Sequence, residues 1–172
     1  QRRQGRSPGW EPLRDAEAVT TGVDGRFAVQ GDADAGQLGI EVTAAGFLPL
    51  GPQPFARGAD LQLVLDAAAT VTGSVLLGEV IEIQDVVVEL SLGEQRVQER
   101  LERRGSQGAF EFTGLPAGIA SVRVRVLGER DGLLVDGVLL RPGEVTADPR
   151  LQAVDLVAGR RVVRFTVVGT DG

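Results

Sequence analysis

Asp24, Asp32 and Asp34 are the residues of this chain best placed to hold a metal ion. Hard carboxylate oxygens suit Ca2+, but their spacing is not that of a twelve-residue helix–loop–helix calcium site closed by a distal Glu. Aspartates in loops more often accept hydrogen bonds from turn amides, which is the preferred reading here, with weak Ca2+ binding as the alternative. Ser7, Ser74, Ser91, Ser106 and Ser121 are the available hydroxyl nucleophiles of the serine type. The chain has no His, Lys, Cys, Met, Tyr or Asn. It therefore lacks the usual general base, any thiol or phenol, a Schiff-base amine, and any imidazole or thiolate metal ligand. No Gly-x-Ser-x-Gly elbow is present, which leaves those serines without an activating partner. A carboxylate-only mechanism of the glycosidase kind would need a cleft lined by sugar-stacking aromatics. Asp136-Gly137 and Asp171-Gly172 read as turn dipeptides, not as catalytic aspartates. The expectation is a chain with no catalytic residues, no cofactor and no strong metal site.

The bulk properties point the same way. The 172 residues carry 18 basic side chains, all Arg, against 24 acidic ones, for a net charge of −6. An acidic chain is a poor partner for nucleic acid, whose binding draws on clustered cations that release counterions. The two basic clusters are Arg2-Arg3 with Arg6, and Arg100 with Arg103-Arg104 interleaved by Glu99 and Glu102; both read as solvated faces. Without Cys there is no disulfide framework, so stability rests on packing. No apolar run approaches the ~18–20 residues of a membrane helix, and no secretory signal region follows Gln1. With no initiating Met, the chain reads as a piece of a longer polypeptide.

Such a composition must be positioned by strands. The apolar set is dominated by Val, Leu and Ala, and β-branched Val suits a pleated, half-buried surface. The first eighteen residues, with Pro8 and Pro12, read as a lead-in. Val19–Thr21 and Arg26–Val29 flank Gly22-Val23-Asp24-Gly25, a hairpin pattern. Leu38, Ile40 and Val42 alternate with Gly39 and Glu41, and Leu61, Leu63 and Leu65 alternate around Gln62 and Val64; Gly51-Pro52-Gln53-Pro54 between the two runs reads as a loop. A fuller series follows: Val71, Gly73, Val75 and Leu77; then Val86, Val88, Leu90 and Leu92; then Phe110 and Phe112 about Glu111. In Val122-Arg123-Val124-Arg125-Val126 the valines face a core and the arginines face water. Further strands are expected at 133–140, 151–157 and 162–168, with turns at Asp131-Gly132, Arg141-Pro142-Gly143 and Ala158-Gly159. Arg96–Arg104 fits a helix face or a strand parity; an edge strand is preferred because a charged edge discourages pairing with foreign chains.

The order of elements occurs twice. Gly25-Arg26-Phe27 with Gly31 is matched eighty-three positions later by Gly108-Ala109-Phe110 with Gly114. After one residue of slippage Ala35-Gly36 aligns with Ala117-Gly118, and Ile40 and Val42 with Val122 and Val124. Val71 and Val75 likewise match Val163 and Val167. The chain is thus expected to hold a repeat missing its beginning (1–66), a complete repeat (67–157) and the first strand of a third (158–172), with boundaries near Asp66 and Val157.

The run Gly108-Ala109-Phe110-Glu111-Phe112-Thr113-Gly114-Leu115-Pro116-Ala117-Gly118, followed by the strand ending at Val126, resembles the core signature of carboxypeptidase regulatory-like repeats. These are relatives of the B-type repeats of bacterial collagen adhesins and of the transthyretin-like sandwich. Thr20 to Phe27 resembles the start of the same signature, although Asp32-Ala33-Asp34 replaces its Leu-Pro loop. The resemblance implies all-β architecture: tandem immunoglobulin- or prealbumin-like Greek-key β-sandwich domains of about seven strands each. The signature residues Gly25, Phe27, Gly108, Phe110, Phe112, Gly114, Leu115, Pro116 and Gly118 are then structural, with Gly108 releasing the chain from a turn and the two phenylalanines filling the centre. Some adhesin repeats carry a Lys–Asn isopeptide staple; both partners are absent here.

The implied function is a non-catalytic spacer or stalk repeat of a larger secreted or cell-envelope protein, whose first partners are its neighbouring repeats. The alternatives are a module that binds an extracellular protein or glycan through loops or an edge strand, and an accessory domain that positions a neighbouring enzyme. Trp10 is the only Trp, which disfavours a glycan platform.

Overall fold

The computed structural model describes residues 18–29, 38–56, 58–78, 81–104, 107–129 and 132–158. Among these residues the protein is all-β, with eleven strands and two short 3-10 turns. They fall into two compact units, one drawn from Gln1–Ala45 and Pro49–Leu65, the other from Gly46–Leu48 and Asp66–Gly172.

The first unit contains one antiparallel pair, β1 (Leu38–Val42) and β2 (Leu50–Phe55). Leu38, Ile40 and Val42 form the half-buried side of β1, as their alternation demands. β2 carries Pro52 and Pro54, which a sequence reading places in a loop. Both prolines are tolerated because a two-stranded ladder is all edge. In addition, Pro52 falls at a bulge, where Ile40 pairs with Gln53 but Val42 pairs with Leu50. The hairpin expected over 19–29 reduces to its turn: Gly25 N–H donates to Gly22 O and Gly22 N–H to Arg26 O, both at 2.9 Å, and no ladder flanks it. Leu61, Leu63 and Leu65 alternate in burial but lie outside any strand. No described residue of this unit is fully buried, so nothing there locks a ladder onto a core.

The second unit is sandwich-like. One sheet is built on β3 (Ala69–Leu76), which pairs antiparallel with β7 (Gln107–Leu115); β7 in turn pairs with β6 (Glu102–Arg104). On its other side β3 pairs in parallel with two short strands, β10 (Val145–Thr146) and β11 (Val154–Asp155). The other sheet has the order β5 (Gln95–Arg100), β4 (Val86–Leu92), β8 (Gly118–Val126), β9 (Gly132–Leu140). Successive valines on β3, β4 and β8 point inward, and Val71, Val75, Val88, Val122 and Val124 are completely buried. Phe112 is also completely buried and meets Phe110 edge-on, with ring centroids 5.9 Å apart at 65°. The core holds apolar side chains alone: among the described residues none that is polar or charged is buried.

Arg96–Arg104 is strand, at the rim of both sheets. β5 ends at Arg100, Leu101 turns inward and is buried, and the chain resumes as β6 in the opposite sheet. Asp136-Gly137, expected as a turn, lies inside β9. Ala120 pairs with Val138 but Val122 with Val135, so two residues oppose Ser121 in a bulge, and Gly137 takes φ +74° there. Of the later elements, 151–157 resolves into a 3-10 turn (Pro149–Leu151) and β11; the strand expected over 162–168 lies outside the described residues. The turn at Arg141-Pro142-Gly143 forms, closed by Glu144 N–H on Arg141 O at 3.2 Å.

Candidate functional site

The carboxylates singled out as metal ligands are engaged locally or lie outside the described residues. Asp24 Oδ1 accepts the Arg26 backbone N–H at 3.1 Å and Oδ2 stands 3.7 Å from Arg26 Nε, so this side chain braces its own turn. Asp32 and Asp34 are outside the described residues. Among the described residues no group of three or more Asp, Glu, His or Cys could hold a metal ion.

The two copies of the Gly-x-Phe signature occupy different surroundings. Gly25 is exposed in its turn and Phe27 half-buried. Gly108 is buried within β7, opposite Val75 and Arg103. It does not release a turn: a Cβ there would stand 2.6 Å from Leu101 Cδ1, so glycine is needed where the switching strand crosses over it. Phe110, Phe112 and Leu115 line the core. Thr113-Gly114 opposes Thr70 at a bulge, since Ala69 pairs with Leu115 and Val71 with Phe112. Pro116-Ala117 then carries the chain from one sheet to the other, and Gly118 opens β8 against Leu92.

The densest polar constellation is one that the sequence reading passed over. Residues 141–153 cross from the rim of β9 to the rim of β3 and are fastened at both sides by side chains. On the β9 side, Thr146 Oγ1 donates to Leu139 O at 3.2 Å and Arg150 Nη1 to Asp136 O at 2.9 Å. On the β3 side, Gln152 Nε2 donates to Thr72 O at 3.2 Å, and the Ala153 N–H to Ser74 Oγ at 2.8 Å. Ala153 holds φ 54°, an unusual backbone state for a residue with a Cβ. Arg150 is held by a forked contact with Asp148, Nε to Oδ1 at 3.0 Å and Nη2 to Oδ2 at 2.7 Å, while Oδ1 also accepts the Arg150 backbone N–H at 2.9 Å. The guanidinium hydrogen bonds hold the Asp148 carboxyl below the usual carboxylate range, and the carboxylate raises the Arg150 guanidinium in turn. The signal for this strap was Asp148-Pro149, an Asx residue before Pro, which starts the 3-10 turn.

Between strap and β9 lies an open cleft of about 330 Å³, lined by Gly137, Leu139, Arg141, Thr146 and Asp148 among others. Arg141 and Glu144 stand 3.8 Å apart at its rim. Its two carboxylates are each engaged by an arginine, Glu144 by Arg141 and Asp148 by Arg150, and the Thr146 hydroxyl is spent on the Leu139 carbonyl.

The outer face of the β5-β4-β8-β9 sheet carries a different pattern. Alternation places Arg96 and Arg100 of β5 and Arg123 and Arg125 of β8 outward on either side of β4. Between them Glu89 accepts a hydrogen bond from Gln98 Nε2 at 3.0 Å.

Comparison of the chain with protein-family models, with curated proteins and with solved structures finds no match.

Proposed function

We propose that this chain is a non-catalytic spacer, its second unit a Greek-key β-sandwich repeat in a tandem series within a larger secreted or cell-envelope protein, resembling the carboxypeptidase regulatory-like and collagen-adhesin B-type repeats. The observation that carries this reading is the parallel placement of the strands that open and close the unit. Thr70 pairs with Val145 near the start of β3, and Leu76 pairs with Asp155 at its end. The chain enters beside β10 and leaves beside β11, about 20 Å away along β3 at strand rise. Tension applied along the polypeptide therefore loads the β3–β11 pairing lengthwise, so its hydrogen bonds share the load instead of opening one by one. A dry, apolar core with its polar fastenings on the rim supports the same reading.

Single-molecule extension tests it. The chain is free of Cys, so cysteines introduced at Asp66 and Val157 in the full chain give unique attachment points. A spacer unit yields one cooperative rupture that releases roughly 300 Å of contour length at the reach of an extended chain. Smooth lengthening without a force peak would overturn the assignment.

A further inference from the structure

We infer that the outer face of the β5-β4-β8-β9 sheet docks an acidic, partly aliphatic protein surface. This goes beyond the spacer role and does not depend on it. Six arginines of the second unit have described side chains; Arg141 and Arg150 are ion-paired, and the other four all stand on this face. Among the described residues none of those four forms an ion pair. Arg96, Arg100 and Arg123 are exposed and Arg125 half-buried. β5 and β8 are separated by one strand, so the two arginine columns run about 10 Å apart. The carboxylates on this side of the strands are Glu89, at the centre of the face, and Asp136, at the bulge on the far rim; Glu144 and Asp148, each paired with an arginine, border the cleft beside Leu139. Among the described residues of the second unit, in a chain of net charge −6, the arginines without an ion pair thus share one flat surface, whose complement is a carboxylate-bearing one.

One corner of the face shows what carries those carboxylates. Ile119 and Leu139 are cross-strand partners, 69% and 51% exposed, and Leu134 beside Arg123 is 46% exposed. Exposed aliphatics beside arginine give a partner surface apolar area to bury along with its charge. The four strands hold no aromatic residue, so the face gives a nucleobase or a sugar ring nothing to stack on.

The probe is a fluorescent oligoglutamate peptide ending in two leucines, compared with one ending in two serines and with a heparin fragment of similar charge, read by anisotropy on the full chain at low salt. The leucine-ending peptide binds several-fold more tightly than the serine-ending one. Arg96→Glu with Arg123→Glu, both at exposed positions and checked for unchanged circular dichroism and melting, weakens both peptides about tenfold or more. Glu89→Gln tightens both. Ile119→Ser with Leu139→Ser removes the leucine advantage alone. The proposal is overturned if neither peptide binds, if the arginine reversals leave binding unchanged, or if heparin binds as tightly as the leucine-ending peptide.

Discussion

Of the described glycines in the second unit, Gly73 leaves the least room for a Cβ, and it allows a sharp test. It sits in mid-β3 opposite Phe110, whose ring lies over it. A Cβ on Gly73 would stand 2.1 Å from Phe110 Cζ and 2.7 Å from Leu151 O. Carbon contacts relax at about 3.5–4.0 Å, so the ring tip would have to retreat by roughly 1.5 Å. It has nowhere to go, being 4% exposed and braced edge-on by Phe112. The Leu151 carbonyl belongs to a strap hydrogen-bonded on both sides. Overpacking of this kind destabilises by about 1–3 kcal/mol, and the upper end applies here. The lower backbone entropy of Ala offsets roughly 0.5–1 kcal/mol. Gly73→Ala should therefore lose about 2 kcal/mol, or roughly 10 °C in Tm for a unit of this size. Phe110→Leu alone should lose about 1.5 kcal/mol, but it withdraws the atoms that clash. In that background Gly73→Ala should lose under about 1 kcal/mol, and the double-mutant cycle should show coupling above 1 kcal/mol. Urea unfolding of the four proteins measures every corner of the cycle. A Gly73→Ala protein as stable as the parent, or an additive cycle, would refute the placement of the ring over β3.

Other expectations follow from the rim. Gly137→Ala puts a Cβ at φ +74° in the β9 bulge and should lose about 1–2 kcal/mol by chemical denaturation, with Gly137→Val losing more. The Asp148 carboxyl is held low chiefly by the Arg150 hydrogen bonds. A group lowered in the fold stabilises fully above its unfolded pKa and stops doing so as pH falls through its folded one. Parent stability should thus decline on acidification below about pH 4, and the decline should be shallower in Asp148→Asn, measured by melts across pH. Arg150→Ala uncovers the Asp136 carbonyl on an edge strand, and light scattering on mild heating should show earlier aggregation than in the parent. Phe112→Ala, at a fully buried ring, should lose about 3–5 kcal/mol.

Much of the second unit was legible as alternation. Val71 to Leu77, Val86 to Leu90 and Val122 to Val126 each announce a buried side, because the period of two survives wherever a sheet covers one face. Alternation failed where the backbone breaks step. Asp136-Gly137 reads as a turn because the same dipeptide serves both turn and bulge. The clue was that Val135 and Val138, three apart, both needed the core, which only an extra residue permits. β2 was missed because proline argues against strands in general, while its place on a narrow ladder excuses it. The expected hairpin at 19–29 shows the reverse error: turn chemistry formed the turn, but Val19, Val23 and Val29 are exposed, and no core rewards pairing. Arg123 and Arg125 were seen to face water; that they share a face with Arg96 and Arg100 required the pairing of β4 with both neighbours. Of the strap only the Asp148-Pro149 start was there to be read; its fastenings join residues as far apart as Thr72 and Gln152.

The switch at Leu101 bears on how such a chain tolerates change. β5 and β6 are consecutive stretches of one ribbon with a single residue between them, so an insertion at that corner would invert the inward and outward sides of one layer relative to the other. Hairpin tips such as Gly93-Glu94 lengthen without that penalty. Natural variation in length should accordingly gather at the tips and spare the corner, where Leu101 and the missing side chain of Gly108 accommodate one another and would have to change together.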